Sequence, residues 1–558
     1  MPEIRRIRLN DNRIQILGLH AFRYIPNLQE LDLSGNKLER LVMSDFASAT
    51  SLRYLNMSRN RISSVQSDSI TPMLSLEVLD LSSNKLSHLP GTELRNMEGL
   101  RALLLRKNPI TIIGEEQLKI NSLQVLDLSS SEVRVVEAGA FSHLTRLHSV
   151  TFANCRKLIY ISPAAFRNIS VFSLDISGTV VEAIPPSLLS SITRISVANV
   201  PLDCGCFSQQ LSASTKTIIT DWDNSTCLTR DGQAVGFYNL SIIKLALTKQ
   251  CRPSAVLPFG HEVVATVGET FKIYCAGTNE DDIVRWTNPS GSIENATHPE
   301  FSSGFERLDY FTTTLFEPYK RQRLPKRTVA TTEYFLIDVV LYSDAGHYEC
   351  AIQRGKYIIT KKIHLTVLPP DIHLNVTHIG VSSVHLSWNK NLNVQAVDRV
   401  ALQVNSTSAS DFKRVVLLSL HNSYCSYNLI NLLPNRIYTI CLRWSLTDDG
   451  TDIYSICLSE RTRRARSFME DLGVDGIIII CAICIVLFVF FCGKSTYNRY
   501  HIQLRTKQQS KMMQSISGQS VLSQRISDGV TFENHQLQMC SSFCDGVNLS
   551  SGSLLGVP

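Results

Sequence analysis

The cysteines are the residues whose type and spacing most clearly suggest chemistry. Cys204 and Cys206 lie in the stretch PLDCGC, and Cys227 and Cys251 follow them. Four thiols placed in this way could hold a metal ion or form two disulfides. No histidine lies near them at ligand spacing, so the sequence favours disulfides. The expected pairs are Cys204–Cys227 and Cys206–Cys251, although the spacing leaves the other pairings open.

Catalytic residues do not stand out. No Ser-His-Asp set, paired carboxylates or glycine-rich phosphate loop is evident in the 558 residues. An enzyme is therefore the weakest functional class, and we expect no cofactor and no metal. The formal net charge of +6 is small for this length and gives no indication of nucleic acid as a partner.

Glycosylation sequences indicate the same oxidising, extracellular environment as the disulfides. Seven Asn-X-Ser/Thr sequences lie before one long apolar stretch, at Asn56, Asn168, Asn224, Asn239, Asn295, Asn375 and Asn405. We therefore expect the N-terminal side of that stretch to lie outside the cell. A glycan on Asn56 would cover part of the ligand face that the repeats predict.

A repeated apolar pattern must position these groups. The spelling L-x-x-L-x-L-x-x-N, as in LQELDLSGN, starts at Ile4, Leu28, Leu52, Leu76, Leu100, Leu123, Leu147, Val171 and, in a degenerate form, Ile192. This is the pattern of a leucine-rich repeat, in which stacked short strands bury one another's apolar faces. Amphipathic helices are excluded because L-x-L has a two-residue period.

One asparagine recurs in the turn after each strand. The slot holds Asn12, Asn36, Asn60, Asn84 and Asn108, and then Ser131, Cys155 and Thr179. We predict that this side-chain amide satisfies backbone groups that the turn leaves unpaired.

The concave face of such a sheet is the predicted ligand surface, because its side chains alternate with the buried leucines. The candidate binding residues are Arg8, Asp32, Tyr54, Arg59, Asp80, Arg106, Lys107, Asp127 and Asp175. For any single residue the plainer interpretation is that a soluble repeat needs polar strand faces.

Two further strand-rich segments follow the repeats. In the first, Cys275, Trp286 and the stretch DAGHYEC ending at Cys350 match an immunoglobulin-like β-sandwich. Tyr348 would form its tyrosine corner, and Trp286 would pack on a Cys275–Cys350 bridge.

The second segment has the spacing of a fibronectin type III domain, carried by SVHLSWN and by LLPNRIYTICL with Tyr438. We pair Cys441 with Cys457. Cys425 is then left over, and it is either buried or links two chains.

A membrane segment is predicted at GIIIICAICIVLFVFFC. At about 1.5 Å per residue this stretch nearly crosses a hydrocarbon core of about 30 Å, and its flanks complete the span. The Ser- and Gln-rich tail after it is predicted to be disordered and is too short for a kinase. The stretch RTRR, which ends at Arg464, resembles a proprotein-convertase site, although a basic stalk is the plainer interpretation.

The expected fold class is therefore multidomain: a repeat solenoid, two β-sandwiches, one transmembrane helix and a disordered tail. The predicted boundaries are 1–200 for eight or nine repeats, 201–252 for a cysteine-rich cap, 253–368 for the immunoglobulin-like domain, 369–463 for the fibronectin type III domain, 464–475 for a stalk, 476–493 for the membrane helix and 494–558 for the tail. Because the chain starts inside a repeat, without a leader or an N-terminal cap, we expect a fragment, an incomplete gene model or an unusual isoform.

This order of domains, the stretch WTNPSG and the Cys441/Cys457 pair resemble the leucine-rich repeat neuronal protein family. The resemblance implies a type I plasma-membrane glycoprotein acting in adhesion or receptor regulation in neural development. Its expected partners are other cell-surface or extracellular proteins, homophilic or heterophilic, with cytoplasmic adaptors on the tail. The alternatives are a receptor that signals through tail-bound adaptors and a soluble ligand shed at Arg464.

Overall fold

The chain forms two compact units, Met1–Pro369 and Pro370–Pro558. The computed structural model describes residues 3–18, 21–46, 48–66, 73–115, 117–207, 217–229, 231–239, 253–297, 327–390, 392, 399–406, 413–418, 425–445, 452–465, 478–479, 481–487, 489–490 and 494.

The predicted repeats form a solenoid. Its strands and those of the cap are β1 Arg6–Arg8, β2 Glu30–Asp32, β3 Arg40–Val42, β4 Tyr54–Asn56, β5 Ser64–Gln66, β6 Val78–Asp80, β7 Ala102–Leu104, β8 Ile112–Ile113, β9 Val125–Asp127, β10 Val135–Val136, β11 Ser149–Thr151, β12 Tyr160–Ile161, β13 Val171–Asp175, β14 Ile192–Ser196, β15 Leu202–Asp203, β16 Ile218–Ile219, β17 Thr226–Leu228 and β18 Ala234–Gly236. Between them lie the short helices α1 Gly91–Leu94 and α2 Pro186–Ser190 and 3-10 turns at Met43–Phe46, Trp222–Asn224 and Phe237–Asn239.

One parallel sheet of ten strands forms the concave wall, in the order β1-β2-β4-β6-β7-β9-β11-β13-β14-β16. The middle residue of each short strand points into the core. Leu31, Leu55 and Leu79 are direct register partners and are fully buried. Burying a leucine side chain contributes about 1.5–3 kcal/mol, so the stacked column is a main source of the stability of the solenoid.

The asparagine column has the predicted role. The Asn84 side-chain amide donates to the carbonyls of Met57 and Leu81 at 3.0 and 2.9 Å, and its oxygen accepts the N–H of Ile62 at 2.9 Å. Asn36, Asn60 and Asn108 repeat this arrangement. Each amide therefore ties its own repeat to the preceding one. Where the column changes, the Cys155 thiol still donates to the Leu128 carbonyl at 3.1 Å.

The cap after the last repeat contains the disulfide Cys204–Cys227, and both cysteines belong to the core of the solenoid. Cys206 is also disulfide-bonded. Its predicted partner, Cys251, lies outside the described residues.

Ten strands follow and are called the first sheet domain. They are β19 Ala255–Val256, β20 Glu262–Thr266, β21 Phe271–Tyr274, β22 Ala276–Gly277, β23 Ile283–Thr287, β24 Ile293–Asn295, β25 Thr328–Ala330, β26 Tyr334–Ile337, β27 Gly346–Arg354 and β28 Tyr357–Leu368, with a 3-10 turn at Tyr342–Asp344. A five-stranded sheet, β20-β28-β27-β23-β24, and a three-stranded sheet, β21-β26-β25, enclose one core. The disulfide Cys275–Cys350 joins the two sheets beside the fully buried Trp286.

In the second unit, the described residues form seven strands, called the second sheet domain. They are β29 Leu374–Ile379, β30 Val384–Trp388, β31 Arg399–Ser406, β32 Lys413–Leu418, β33 Ser426–Leu429, β34 Ile437–Ser445 and β35 Asp452–Arg461. They form sheets of three and four strands, β29-β30-β33 and β32-β31-β34-β35. The disulfide Cys441–Cys457 links direct partners on β34 and β35, and Cys425 is buried.

Among the described residues, none of the helices combines the length and hydrophobicity that crossing a bilayer requires. Part of the predicted membrane segment at 476–493, and all of the predicted tail after residue 494, lie outside the described residues.

Candidate functional site

The concave sheet offers two rows of side chains to a ligand. On each short strand the buried residue is flanked by two residues that face the opposite way, since successive side chains alternate. Most of the residues predicted to bind a ligand lie in the row after the buried leucine. That row contains Asp32, Asp80, Asp127 and Asp175, which are all partly buried.

These aspartates have a structural role. Each carboxylate accepts the backbone N–H two residues later, as Asp80 does from Ser82 at 2.8 Å and Asp175 from Ser177 at 2.9 Å. Asp32 and Asp127 do the same at 3.0 and 2.9 Å. The acidic rhythm of the sequence is therefore accounted for by closing the turn that leaves each strand.

The predicted basic residues lie at the rim rather than on the strands, except for Arg8, which is on β1. Arg59 and Lys107 occupy the turn position that precedes each ladder asparagine, where φ is positive. Arg59 pairs with Asp11 at 3.1 Å and Arg106 with Asp127 at 3.7 Å, and both arginines are more than half exposed.

The row before the buried leucine contains an apolar patch that the sequence analysis missed. Tyr54, Val78, Ala102 and Val125 are successive register partners on four adjacent strands, and each is partly exposed. Leu104 extends the patch into the second row. These five residues are called the concave patch. In the sequence, the patch is indicated by the residue that precedes each L-x-L, because this residue is apolar in the central repeats only.

Charged groups surround the concave patch. Asp80 and Asp127 flank Leu104 across the sheet. On the opposite side, Arg53 and Arg101 line a polar groove of about 380 Å³ that runs along the edge where the strands begin. An apolar centre with a charged rim is the usual anatomy of a protein-binding surface.

Tyr54 can act as a hydrogen-bond donor within the patch. Burial raises the pKa of its phenol, and the nearby carboxylates of Asp80, Asp32 and Glu30 raise it further. The phenol therefore stays protonated at neutral pH. Tyrosine in this state combines a large contact area with a polar tip, which suits a recognition surface.

The predicted glycosylation sites differ in exposure. The side chains of Asn168, Asn224, Asn295 and Asn375 are exposed, whereas those of Asn56 and Asn405 are partly buried. Nothing is described for the side chain of Asn239. Asn56 lies on β4 opposite Asp80, so a glycan there would stand beside the concave patch.

A second polar cluster, here called the joint, fixes the repeats to the first sheet domain. The Glu137 carboxylate, 4% exposed, accepts from the Lys272 ammonium at 2.7 and 2.8 Å. It also accepts the Tyr274 hydroxyl and, at 3.2 Å, the N–H of Glu115. The Lys272 ammonium also lies 4.3 Å from the centre of the Tyr334 ring.

Glu333 is the other buried acid of the joint. Its carboxylate accepts the Ser162 hydroxyl and, at 3.3 Å, the N–H of Ala138. Burial raises the pKa of Glu333 to about 7. The hydrogen bond from Ser162 acts in the opposite direction and lowers this pKa, whereas the negative charge of Glu137 raises it further. Apolar contacts surround the two acids; they involve Val135, Tyr160, Val256, Tyr274, Ala276 and Tyr334. This contact was not predicted from the sequence.

Comparison with family models identifies the repeats. The leucine rich repeat model matches residues 2–62 and 50–110, and the BspA type leucine rich repeat region matches residues 111–220. No curated protein matches the chain. The chain thus contains a leucine-rich repeat solenoid, a type of domain that commonly mediates binding between proteins.

Proposed function

We propose that this leucine-rich repeat protein is a single-pass cell-surface recognition protein. Its ectodomain binds other cell-surface or extracellular proteins, or a second copy of itself, in adhesion or receptor regulation. The concave patch is the observation that carries the proposal. Its apolar side chains lie on four adjacent strands, stay partly exposed and are bordered by charges of both signs.

We further propose that the first sheet domain is immunoglobulin-like. Three contacts support this assignment. Trp286 lies in one core with the disulfide and donates from its indole N–H to the Thr331 carbonyl at 3.0 Å. The Tyr348 hydroxyl donates to the Asp344 carbonyl at 3.0 Å, which is the contact of a tyrosine corner.

The second sheet domain is proposed to be of fibronectin type III. Its three- and four-stranded sheets support this, as does the hydroxyl of Tyr438, which accepts the N–H of Leu433 at 2.8 Å. Membrane anchoring is proposed from the apolar sequence at 476–493. In support, helical residues 481–487 are exposed throughout, and the exposed side chains include Ile483, Ile485 and Leu487.

Membership of the leucine-rich repeat neuronal protein family, and with it a role in neural development, is proposed from the order of these domains. Signalling through tail-bound adaptors would involve residues beyond those described.

The geometry opposes the alternative of a shed ligand. Arg461 ends strand β35, and the buried Thr462 hydroxyl donates to the Leu433 carbonyl at 2.7 Å. The N–H of Arg463 donates to the Gly380 carbonyl at 2.9 Å. A protease needs an extended, accessible segment, so cleavage at Arg464 would first require this strand end to detach.

A charged residue in the centre of the concave patch is expected to weaken recognition. Ala102→Glu places a carboxylate among Tyr54, Val78 and Val125, where a partner would bury it unpaired. We expect the affinity for the partner to fall by at least about tenfold, which corresponds to about 1.4 kcal/mol. The fold should tolerate the change because the side chain faces solvent. The measurement is the aggregation of cells that display the full-length chain. These cells are mixed with one another and, separately, with a panel of other cells.

The matched control is Val180→Glu, which puts the same charge at an apolar side chain 37% exposed, outside the concave rows. Loss of adhesion with Ala102→Glu but not with Val180→Glu supports the concave patch. Unchanged adhesion with Ala102→Glu would remove the patch from the binding site. Absence of any cell-surface binding by the unaltered chain would contradict the proposed function itself.

A further inference from the structure

We propose that His347 and His364 form a binding site for a divalent transition metal ion, of the zinc or copper class, on the first sheet domain. The two residues are direct cross-strand partners on the antiparallel strands β27 and β28. Both point to the face of the five-stranded sheet opposite the core, since the neighbouring Tyr348 and Leu365 are buried.

The separation of the rings fits chelation. Their centroids lie 4.6 Å apart and their planes are tilted by 44°. With metal–nitrogen bonds of about 2.0–2.1 Å, two imidazoles on one ion have centroids about 4.5–5 Å apart. The tilt between the ring planes also fits coordination of one ion. Two parallel rings would stack face to face, whereas two tilted rings can direct nitrogen lone pairs at a common point.

One ring nitrogen of the pair has no partner in the protein, and the nearby charges do not oppose a cation. Nδ1 of His364 is shielded from solvent and has no hydrogen-bond partner. The nearby Lys362 ammonium is paired with Glu349 at 2.9 Å, so its charge is offset. Glu262, the register partner of His364 on the adjacent strand β20, adds a negative charge that favours a cation.

The donor set indicates the class of ion. Two neutral imidazoles suit zinc, copper or nickel, whereas calcium and magnesium need oxygen ligands. Within the described part of the chain, three or more His, Cys, Asp or Glu side chains are nowhere arranged to hold a metal together. The site is therefore a two-histidine chelate whose other positions are filled by water, and its affinity is modest. This inference does not depend on the concave patch.

Calorimetric titration of the full-length chain with Zn²⁺ tests the site. Mutating a residue that only hydrogen-bonds to a metal ligand typically weakens metal binding by about 10–100-fold. Removing a ligand itself, in His347→Ala or His364→Ala, should therefore weaken Zn²⁺ binding by at least about tenfold. Both side chains lie on the outer face of the sheet, so we expect the thermal unfolding temperature without metal to be unchanged. Titration with Cu²⁺ should in addition show an electron paramagnetic resonance signal split by imidazole nitrogens, and the variants should lack it.

The chain provides a matched control. His378 and His385 are also cross-strand partners, on β29 and β30, but the register of these two strands is interrupted between Val376 and His378. The variant His378→Ala/His385→Ala should bind Zn²⁺ as the unaltered chain does. Equal affinity in the His347→Ala variant and the unaltered chain would overturn the proposal, and so would an equal loss in the control variant.

Discussion

Replacing Lys272 with Met is expected to lower the free energy of unfolding of the Met1–Pro369 unit by about 3 kcal/mol. Among the described residues, Lys272 is the only one that forms an ion pair with the Glu137 carboxylate. Removing one partner of a buried pair typically costs about 3–5 kcal/mol, because the other charge stays buried without compensation. We take the lower end because the Lys272 side chain is 29% exposed.

The charge state of Lys272 supports this expectation. Burial by itself lowers the pKa of the ammonium, but the Glu137 carboxylate and the hydrogen bond to it outweigh burial and raise the pKa above its ordinary value. The side chain is therefore charged at neutral pH. Met keeps the unbranched stem that packs beside Tyr334 and removes only the charge and its hydrogen bonds.

Chemical denaturation of the full-length chain measures the effect, and two further variants separate its causes. Lys272→Met combined with Glu137→Gln should regain most of the loss, since no buried charge is then left alone. Lys157→Met removes the partner of the exposed Glu132, at 2.8 Å, and should cost no more than about 0.5 kcal/mol. If the double variant were as unstable as Lys272→Met, lost packing rather than an uncompensated carboxylate would be the cause.

Periodic features of the molecule were predictable from the sequence because each repeat needs the same local solution. The spacing of L-x-L placed the buried leucines, and the recurring asparagine indicated the backbone ladder that Asn84 makes. Three of the expected disulfides are also present. In each case a few residues at fixed spacing define the contact.

The joint was not predictable in this way. Glu137 follows the tenth strand and Glu333 precedes strand β26, and residues so far apart meet only when the first sheet domain packs on the repeats. A lone glutamate in either place reads as an ordinary surface residue. The concave patch was missed for a different reason. Val78, Ala102 and Val125 lie in a row that holds polar residues in the outer repeats, so a pattern averaged over all repeats hides them.

Replacing Glu333 with Gln is expected to remove a pH dependence from the stability of the joint. The ordinary pKa of glutamate is near 4.5, and burial raises that of Glu333 to about 7 in the folded protein. A raised folded-state pKa means that protonation favours the folded state. The contribution is fully present below about pH 4.5, falls as the pH rises, and is lost above about pH 7.

The difference of about 2.5 pKa units corresponds to about 3 kcal/mol. The Gln variant should therefore be more stable than the unaltered chain by up to this amount at pH 8. At pH 4.5 the two should be nearly equal. A neutral amide can still accept the N–H of Ala138 and form a hydrogen bond with the Ser162 hydroxyl. The contacts of the protonated acid are therefore kept.

Denaturation of the full-length chain at pH 5, 6, 7 and 8 tests this expectation, with Glu132→Gln as the control. Glu132 pairs with Lys157 on the surface, and the hydrogen bond from that lysine lowers the pKa of Glu132. The Glu132→Gln substitution should therefore change the slope of the stability curve only at more acidic pH. Parallel stability curves for Glu333→Gln and the unaltered chain between pH 5 and 8 would contradict a raised pKa. A curve that flattens only in the Glu333 variant would instead identify this carboxyl as the group through which neutral pH loosens the joint.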